Sequence, residues 1–143
     1  LNSFNSSCHS VSKYNKADYI CVHSGELRHD YRNRHDTIEK LIKKLTERIK
    51  ADAITVTLGK DGCLVCKDGK FLKAPAFAGK VVDRVGAGDT LLAITALCFA
   101  AGVPEDLTIL LGSLAAAETI ATYGMGSKLS KVNILKAIEA LIK

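Results

Sequence analysis

The sequence predicts an α/β fold class, in which helices cover a largely parallel sheet, because strand and helix patterns alternate along the chain. Two short apolar runs rich in β-branched residues, 17–22 and 53–59, predict buried strands. Between them, residues 35–52 carry apolar side chains at helical spacing, and further helical patterns follow residue 88. With 143 residues, 48% of them hydrophobic, the chain can bury the core of one domain or form half of a larger one.

The helix between the two strands has a regular apolar stripe, made of Ile38, Leu41, Ile42, Leu45 and Ile49. Asp36 and Glu39 are spaced as the N-cap and the third residue of a capping box, which predicts where the helix begins. After the second strand, the segment CLVCKDGKFLKAP predicts a hairpin. Its turn is Asp68-Gly69, a dipeptide that readily adopts the positive φ angles of a tight turn. A further strand is expected to run toward Val82.

Three helices are predicted in the last part of the chain. The first ends at about Ala101 before Gly102, and Pro104 fits the first turn of the second. The second helix carries small residues that let another backbone approach closely: Gly112, Ser113, Ala115, Ala116 and Ala117. Ser130 is expected to cap the third helix, with an inward-packing stripe of Val132, Ile134, Leu135, Ile138 and Leu141.

The formal net charge of +5 comes from basic residues that are dispersed along the chain, which indicates a solvated surface rather than a nucleic-acid partner. No apolar run is long enough to span a bilayer, and no leader pattern opens the chain, so we expect a cytoplasmic protein without a membrane partner. The five cysteines (Cys8, Cys21, Cys63, Cys66 and Cys98) are predicted to be reduced. Cys63 and Cys66 lie in a strand pattern that points them to opposite faces, which argues against a zinc site.

The most informative stretch is VVDRVGAGDTLLA, residues 81–93. Here Gly86, Ala87 and Gly88 join a strand to a helix, where several backbone N–H groups have no intrahelical partner. Without bulky side chains, this turn can admit an anion, which the helix dipole also attracts. Asp89 beside it can accept the proton of an attacking hydroxyl, which indicates phosphoryl transfer. The alternative is a structural turn in which Asp89 only caps the helix.

A second glycine-rich turn, TLGKDG, comprises Thr57, Leu58, Gly59, Lys60, Asp61 and Gly62 and follows the second strand. Its backbone groups and Lys60 could cradle a nucleotide at the carboxyl edge of a sheet. A plain hairpin turn would have the same sequence pattern, so this signal is weak alone.

Together, DRVGAGD at 83–89 and the earlier TLGKDG resemble the carboxyl-terminal half of the ribokinase family, also called the PfkB carbohydrate kinases. The resemblance covers about residues 17–143 and implies a ribokinase-like three-layer α/β/α fold, of which this chain is the nucleotide-binding half. It implies that Asp89 is the catalytic base, that Gly86 to Gly88 form the anion hole, and that Thr57 to Gly62 line the ATP site. Ser113 is a further nucleotide-binding position by the same resemblance.

The resemblance also implies metal ions. Asp83 and the carbonyl of Val85 would hold a monovalent cation such as K⁺, with a further ligand at Gly126. Glu26 in HSGE matches the glutamate of a family N-x-x-E motif that organises Mg²⁺, although His23 replaces the asparagine. Magnesium prefers oxygen ligands and is often reached through water, so Glu26 can still serve. The alternative role for Glu26 is that of an acid in the first turn of a helix.

The opening residues also resemble the RfaE-like kinase modules, which are related to bacterial heptose phosphate kinases. Family members are about twice this length, and the resemblance implies that the missing amino-terminal half supplies most sugar contacts. We therefore expect a fragment of a kinase for a sugar or sugar phosphate, with a second copy or the missing half as partner and little activity alone. The alternative is a nucleotide-binding or interaction module without catalysis, derived from a degenerate or truncated kinase.

Overall fold

The computed structural model describes residue 11 and residues 14–77, 85–121 and 129–142. These residues fall into two compact units, one ending at Ala74 and the other beginning at Pro75. Asp83, Gly126 and Cys8, and the strand expected near Val82, lie outside the described residues.

The first unit is a sheet with two helices. Its elements are β1 (Lys16–His23), α1 (Ser24–Asp30), α2 (Ile38–Arg48), β2 (Lys50–Thr57), a 3₁₀ turn (Gly59–Asp61), β3 (Cys63–Lys67) and β4 (Lys70–Ala74). The strand order is β1-β2-β3-β4. β1 and β2 pair in parallel, whereas β2–β3 and β3–β4 are antiparallel. The four described strands therefore form a mixed sheet, because the predicted hairpin adds antiparallel pairs to the parallel one.

The core of the first unit lies between α2 and the sheet. Leu41, Ile42 and Leu45 on α2, and Ile49 after it, are 0% exposed and belong to one cluster with strand residues such as Val56. Full burial of a side chain of this size stabilises the fold by about 1.5–3 kcal/mol. The predicted apolar stripe is therefore confirmed as the core-facing side of this helix.

The hairpin turn is also confirmed. Asp68 and Gly69 have φ angles of 49° and 74°, and the flanking Lys67 and Lys70 are paired in the ladder. Two successive positive φ angles suit the right-handed twist of the strands that they join.

The predicted start of α2 is wrong by one residue. Thr37, not Asp36, is the N-cap, and its hydroxyl oxygen accepts the Lys40 N–H at 3.3 Å. The Asp36 carboxylate instead accepts hydrogen bonds from the Asn33 amide (2.9 Å) and from Lys44 Nζ (2.8 Å). The hydrogen bond from Lys44 is the largest of the effects that lower the pKa of Asp36 below its usual value.

The second unit contains α3 (Ala87–Ala100), α4 (Glu105–Ala121) and α5 (Lys131–Ile142). Gly102, with φ 71°, ends α3 in a Schellman motif: its N–H donates to the Phe99 carbonyl, and the Val103 N–H donates to the Cys98 carbonyl. The predicted end of α3 is thus confirmed. Pro104 lies just before α4 rather than inside its first turn, and its carbonyl accepts the Thr108 N–H at 2.9 Å.

Close approach of α3 and α4 depends on Gly112. A Cβ atom at Gly112 would lie 2.5 Å from Cγ2 of Thr95 and 3.6 Å from the Leu91 carbonyl oxygen. The prediction that small residues on α4 admit another backbone is confirmed at this position.

The predictions for α5 are only partly confirmed. The Ser130 hydroxyl caps the helix by accepting the Asn133 N–H at 3.4 Å. The stripe does not pack inward, however: Val132, Leu135 and Leu141 are 58%, 48% and 51% exposed. Helical periodicity shows that a helix has an apolar face, but it does not show what that face contacts.

The described cysteines form no disulfide, and Cys21, Cys63 and Cys66 are buried. Burial raises the pKa of the Cys66 and Cys98 thiols. In the described part of the chain no group of three or more metal-ligating side chains converges. Among the helices of that part, none has the length and apolar content needed to cross a membrane.

Candidate active site

The turn that precedes α3 leaves its backbone donors open. Gly86 is the N-cap of α3 in the left-handed conformation (φ 85°, ψ −9°), and no side chain caps the helix. In the first hydrogen bond of the helix, the Thr90 N–H donates to the Gly86 carbonyl at 2.9 Å. Within the described residues, the N–H groups of Ala87, Gly88 and Asp89 have no acceptor. We call residues 86–89 the open turn.

The described residues also leave space beside Gly88, which is exposed. Apart from its chain neighbours and the adjacent backbone of its own helix, a Cβ atom placed on Gly88 would lie within 4 Å of no atom of a described residue. At Gly86 the positive φ is the reason for glycine, because a Cβ there would be 3.8 Å from Thr119 Cγ2, an ordinary contact. Backbone donors at a helix start, without side chains over them, can receive an anion.

Asp89 is the third residue of α3 and is exposed. Its carboxylate makes no hydrogen bond or ion pair with any residue that the structure describes. A capping role would require it to reach back to the backbone of the N-cap, as in a capping box, and no such bond is found. The carboxylate therefore stays available next to the open turn.

The second glycine-rich turn is closed by its own backbone. The Leu58 N–H donates to the Gly62 carbonyl at 2.8 Å, the Asp61 N–H to Leu58 at 3.3 Å, and the Gly62 N–H to Gly59 at 3.2 Å. Gly59 and Gly62 have φ angles of 63° and 86°. We call residues 58–62 the closed turn. Its remaining donors toward a ligand are the N–H groups of Gly59 and Lys60 and the exposed Lys60 ammonium, which has no ion-pair partner in the described part of the chain.

The closed turn shares a sheet edge with α1. His23, the last residue of β1, pairs in register with Thr57, the last residue of β2, so α1 and the closed turn both begin at the carboxyl ends of these parallel strands. This edge is where ligands bind in open α/β sheets.

Sequence reasoning did not predict the capping box that begins α1. The His23 imidazole Nδ1 accepts the Gly25 N–H at 3.1 Å, and Glu26 Oε2 accepts the His23 N–H at 2.8 Å. The signal was present as an H-x-x-E pattern, but histidine is not among the preferred N-cap residues. The role of Glu26 as a first-turn acid, given above as the alternative, is therefore observed.

The capping role still leaves Glu26 able to serve a metal ion. Only Oε2 is engaged, and Oε1 has no partner among the residues that the structure describes. A carboxylate oxygen at this edge, half-buried and open to water, suits the oxygen and water ligands of Mg²⁺.

The remaining predicted site residues lie in the second unit or outside the described residues. Val85 is 59% exposed. Ser113 is 6% exposed inside α4, so its hydroxyl offers little surface to a nucleotide. Asp83 and Gly126 are not described. The structure thus groups Glu26 with the closed turn in the first unit, and Val85 with the open turn in the second.

Several known proteins are similar to this chain over part of their sequence. A ribokinase from Lactococcus lactis is 34% identical over 125 residues, which are 84% of this chain and 38% of that protein. A bifunctional protein HldE from Campylobacter fetus is 33% identical over 92 residues, 64% of this chain and 20% of that protein. The match to HldE, also called RfaE, confirms the predicted resemblance to the RfaE-like kinase modules. The chain therefore spans well under half the length of these relatives.

Solved structures confirm the ribokinase-like fold. An Arabidopsis thaliana ribokinase complexed with ribose and ATP superposes with a TM-score of 0.76 at 23% identity, over 85% of this chain and 41% of that one. The phosphofructokinase-2 of Escherichia coli, in complex with substrates and products, gives 0.78 at 18% identity, over 93% and 44%. The family model described as pfkB family carbohydrate kinase matches residues 1–132. This chain therefore belongs to the pfkB family of carbohydrate kinases.

Proposed function

We propose that the whole protein to which these residues belong transfers the terminal phosphoryl group of ATP to a hydroxyl of a sugar or sugar phosphate. The observation that carries the proposal is the open turn, in which neither the backbone donors nor the carboxylate of Asp89 is bonded to any residue that the structure describes. A kinase needs both features, because charge on the transferred group must be stabilised while the acceptor hydroxyl loses its proton.

In this proposal Asp89 acts as the general base. It takes the hydroxyl proton as the acceptor oxygen bonds to the terminal phosphorus of ATP, and the bond from that phosphorus to ADP breaks. A positioned base contributes about 10²- to 10⁴-fold to such a step. The N–H groups of Gly86, Ala87 and Gly88 form the anion hole, and loss of one such donor costs about 10²- to 10³-fold in rate.

The nucleotide would be held by Thr57 to Gly62, the segment that contains the closed turn. The closed turn provides a fixed shape rather than many donors, since three of its N–H groups are used internally. Lys60 supplies the charge, because its side chain is exposed and belongs to the same turn as the two remaining N–H donors. Ser113 keeps its predicted role only if α4 exposes it, which its burial argues against.

Two cations complete the proposal. Glu26 would hold Mg²⁺, largely through water, and the carbonyl of Val85 would hold K⁺ together with Asp83 and Gly126. When bound, these ions neutralise phosphate charge and shape the anion hole. The chain's own contribution at Glu26 is orientation, because the capping box fixes one carboxylate oxygen and leaves the other without a partner among the described residues.

The proposed substrate class rests on the pfkB carbohydrate kinase family and on the relative named ribokinase. Because this chain spans 38% of the ribokinase relative, we expect the isolated residues to have little activity and to need the amino-terminal half or another chain for sugar binding.

The decisive test is Asp89→Asn in the complete protein, measured by coupled assay of ADP release and by thermal shift with Mg²⁺ and ATP. We expect turnover to fall at least about 100-fold while the nucleotide still raises the melting temperature. Asp106→Asn is a matched control, since Asp106 is an exposed acid in the first turn of α4. Turnover retained by Asp89→Asn would refute the base assignment. A wild-type protein that binds ATP without turnover would support the non-catalytic module instead.

A further inference from the structure

A side-chain contact joins Thr90, the residue after the open turn, to the neighbouring helix α4. The hydroxyl oxygens of Thr119 on α4 and Thr90 on α3 are 3.0 Å apart. The Thr119 hydroxyl also lies 3.0 Å from the Ala115 carbonyl oxygen, one turn earlier on α4. Both threonines are half-buried, and their hydroxyl groups are 29 positions apart in sequence. This is a long-range polar contact at the first turn of α3.

The single hydrogen atom of each hydroxyl determines which threonine donates in this contact. A threonine hydroxyl has one hydrogen to donate and can accept two. Since a carbonyl oxygen can only accept, the Thr119 hydroxyl donates to Ala115. Its oxygen is then left to accept from the Thr90 hydroxyl. The contact therefore fixes the side-chain rotamer of Thr90 as well as that of Thr119.

From Thr90 the contact continues into the open turn. The Thr90 N–H donates to the carbonyl of Gly86 at 2.9 Å, and Thr90 directly follows Asp89 in sequence. The methyl group of Thr119 also faces Gly86, at 3.8 Å from the position of a Cβ atom there. One residue of α4 thus contacts Thr90, which directly follows the open turn, and lies close to Gly86, which begins it.

We propose that Thr119 is a positioning residue for phosphoryl transfer, which orients the open turn through the hydroxyl of Thr90. The inference rests on the proposed function, because it assigns a purpose to holding Gly86 and Asp89 in place. No side-chain hydrogen bond caps α3 at Gly86, so the contact with α4 would supply the rigidity that an anion hole requires. Thr119 touches neither substrate nor nucleotide in this proposal.

The test compares three variants of the complete protein. Thr119→Val keeps the shape but removes the hydroxyl, and we expect kcat to fall about three- to tenfold with little change in KM for the sugar, as loss of one hydrogen bond would give. Thr119→Ser keeps the hydroxyl and should restore kcat. Thr108→Val is the matched control, since Thr108 is a buried threonine of α4 whose hydroxyl bonds the Val103 carbonyl at 3.2 Å. It should lower the melting temperature without changing kcat.

A double-mutant cycle with Thr90→Val separates positioning from general destabilisation. If the two hydroxyls act as one unit, the double variant should lose no more kcat than Thr119→Val alone. Equal kcat values for Thr119→Val and Thr108→Val, or independent losses in the cycle, would overturn the proposal. These outcomes leave the proposed function intact as long as Asp89→Asn is inactive. An active Asp89→Asn variant would refute the proposed function itself.

Discussion

The two glycine-rich turns of this chain look alike in sequence but treat their backbone donors differently. In the closed turn, three N–H groups bond carbonyls of the same five residues. In the open turn, the donors of Ala87 to Asp89 have no acceptor in the described part of the chain. Glycine at a positive φ occurs in both, at Gly59 and Gly86. The two turns therefore differ in the use of their N–H groups and not in their glycine content. The unbonded donors of the open turn are the feature that suits it to the proposed anion site.

The largest difference between the two turns is expected for a matched pair of substitutions, Gly86→Ala and Gly59→Ala, in their effect on turnover. Each places a Cβ at a positive φ and should cost about 1–2 kcal/mol of stability. In the open turn the strain is relieved by rotating peptide groups that must face the anion, so turnover should fall about 10- to 100-fold. In the closed turn the internal bonds hold the shape, so we expect a loss of at most about threefold, consistent with one hydrogen bond. Steady-state kinetics on the two variants checks this, and equal losses would erase the distinction.

A third glycine, Gly112, is needed because α3 leaves no room for a side chain at this position of α4. Neither its φ angle nor a ligand requires glycine there. Gly112→Ala would force a Cβ to within 2.5 Å of Thr95 Cγ2, and overpacking of this kind costs about 1–3 kcal/mol. Adding Thr95→Ser removes that methyl group and should recover much of the loss. Chemical denaturation of the single and double variants measures both steps. A Gly112→Ala protein as stable as the wild type would contradict the observed approach of α3 and α4.

Substitution of Gly88 by alanine should raise the stability of the protein but weaken ATP binding. Gly88 lies inside α3 without a positive φ, and a methyl group there meets no described side chain within 4 Å, so Gly88→Ala should stabilise the helix by about 0.5–1 kcal/mol. If phosphate binds at the N–H of Gly88, the added methyl group should hinder its approach and weaken ATP binding. Thermal melts with and without Mg²⁺ and ATP report both quantities. A variant that is more stable and binds ATP as tightly as before would show that no anion approaches Gly88.

The smallest predicted effect concerns Lys60 in the closed turn. Lys60→Met removes an exposed charge, so stability should stay within about 0.5 kcal/mol of the wild type. ATP affinity should fall by no more than about fivefold, as expected for one exposed charge contact, and less at high salt. Lys70→Met in the hairpin is the control of equal charge. Calorimetric titration with ATP that gives the same affinity for both variants would remove Lys60 from the nucleotide site.

Much of this fold could be predicted from the sequence where local chemistry decides the structure. The apolar stripe of α2, the Asp68-Gly69 turn and the Gly102 stop each have one low-energy solution, and each was confirmed. The start of α2 was placed one residue early because Asp36 and Thr37 are both good N-caps. Only the contact of Asp36 with Lys44 and Asn33, eight and three residues away, decides between them.

The site could be predicted in part. The open turn was predicted because unpaired donors at a helix start follow from geometry alone. The internal bonds of the closed turn and the histidine cap of α1 were not predicted, because they depend on φ angles and side-chain rotamers that spacing does not determine. The contact of Thr119 with Thr90 was also beyond the sequence, since it joins residues on different helices.

The most direct test of the central claim is an NMR titration of the ¹⁵N-labelled complete protein with Mg²⁺ and ATP, following backbone amide resonances. We expect the amide resonances of Ala87, Gly88 and Asp89 to shift most as these groups begin to donate to phosphate, while those of Leu58 and Gly62 change little because they are already bonded. If nucleotide saturates the protein and the amides of the open turn do not move, the open turn is not the phosphate receptor and the account is wrong.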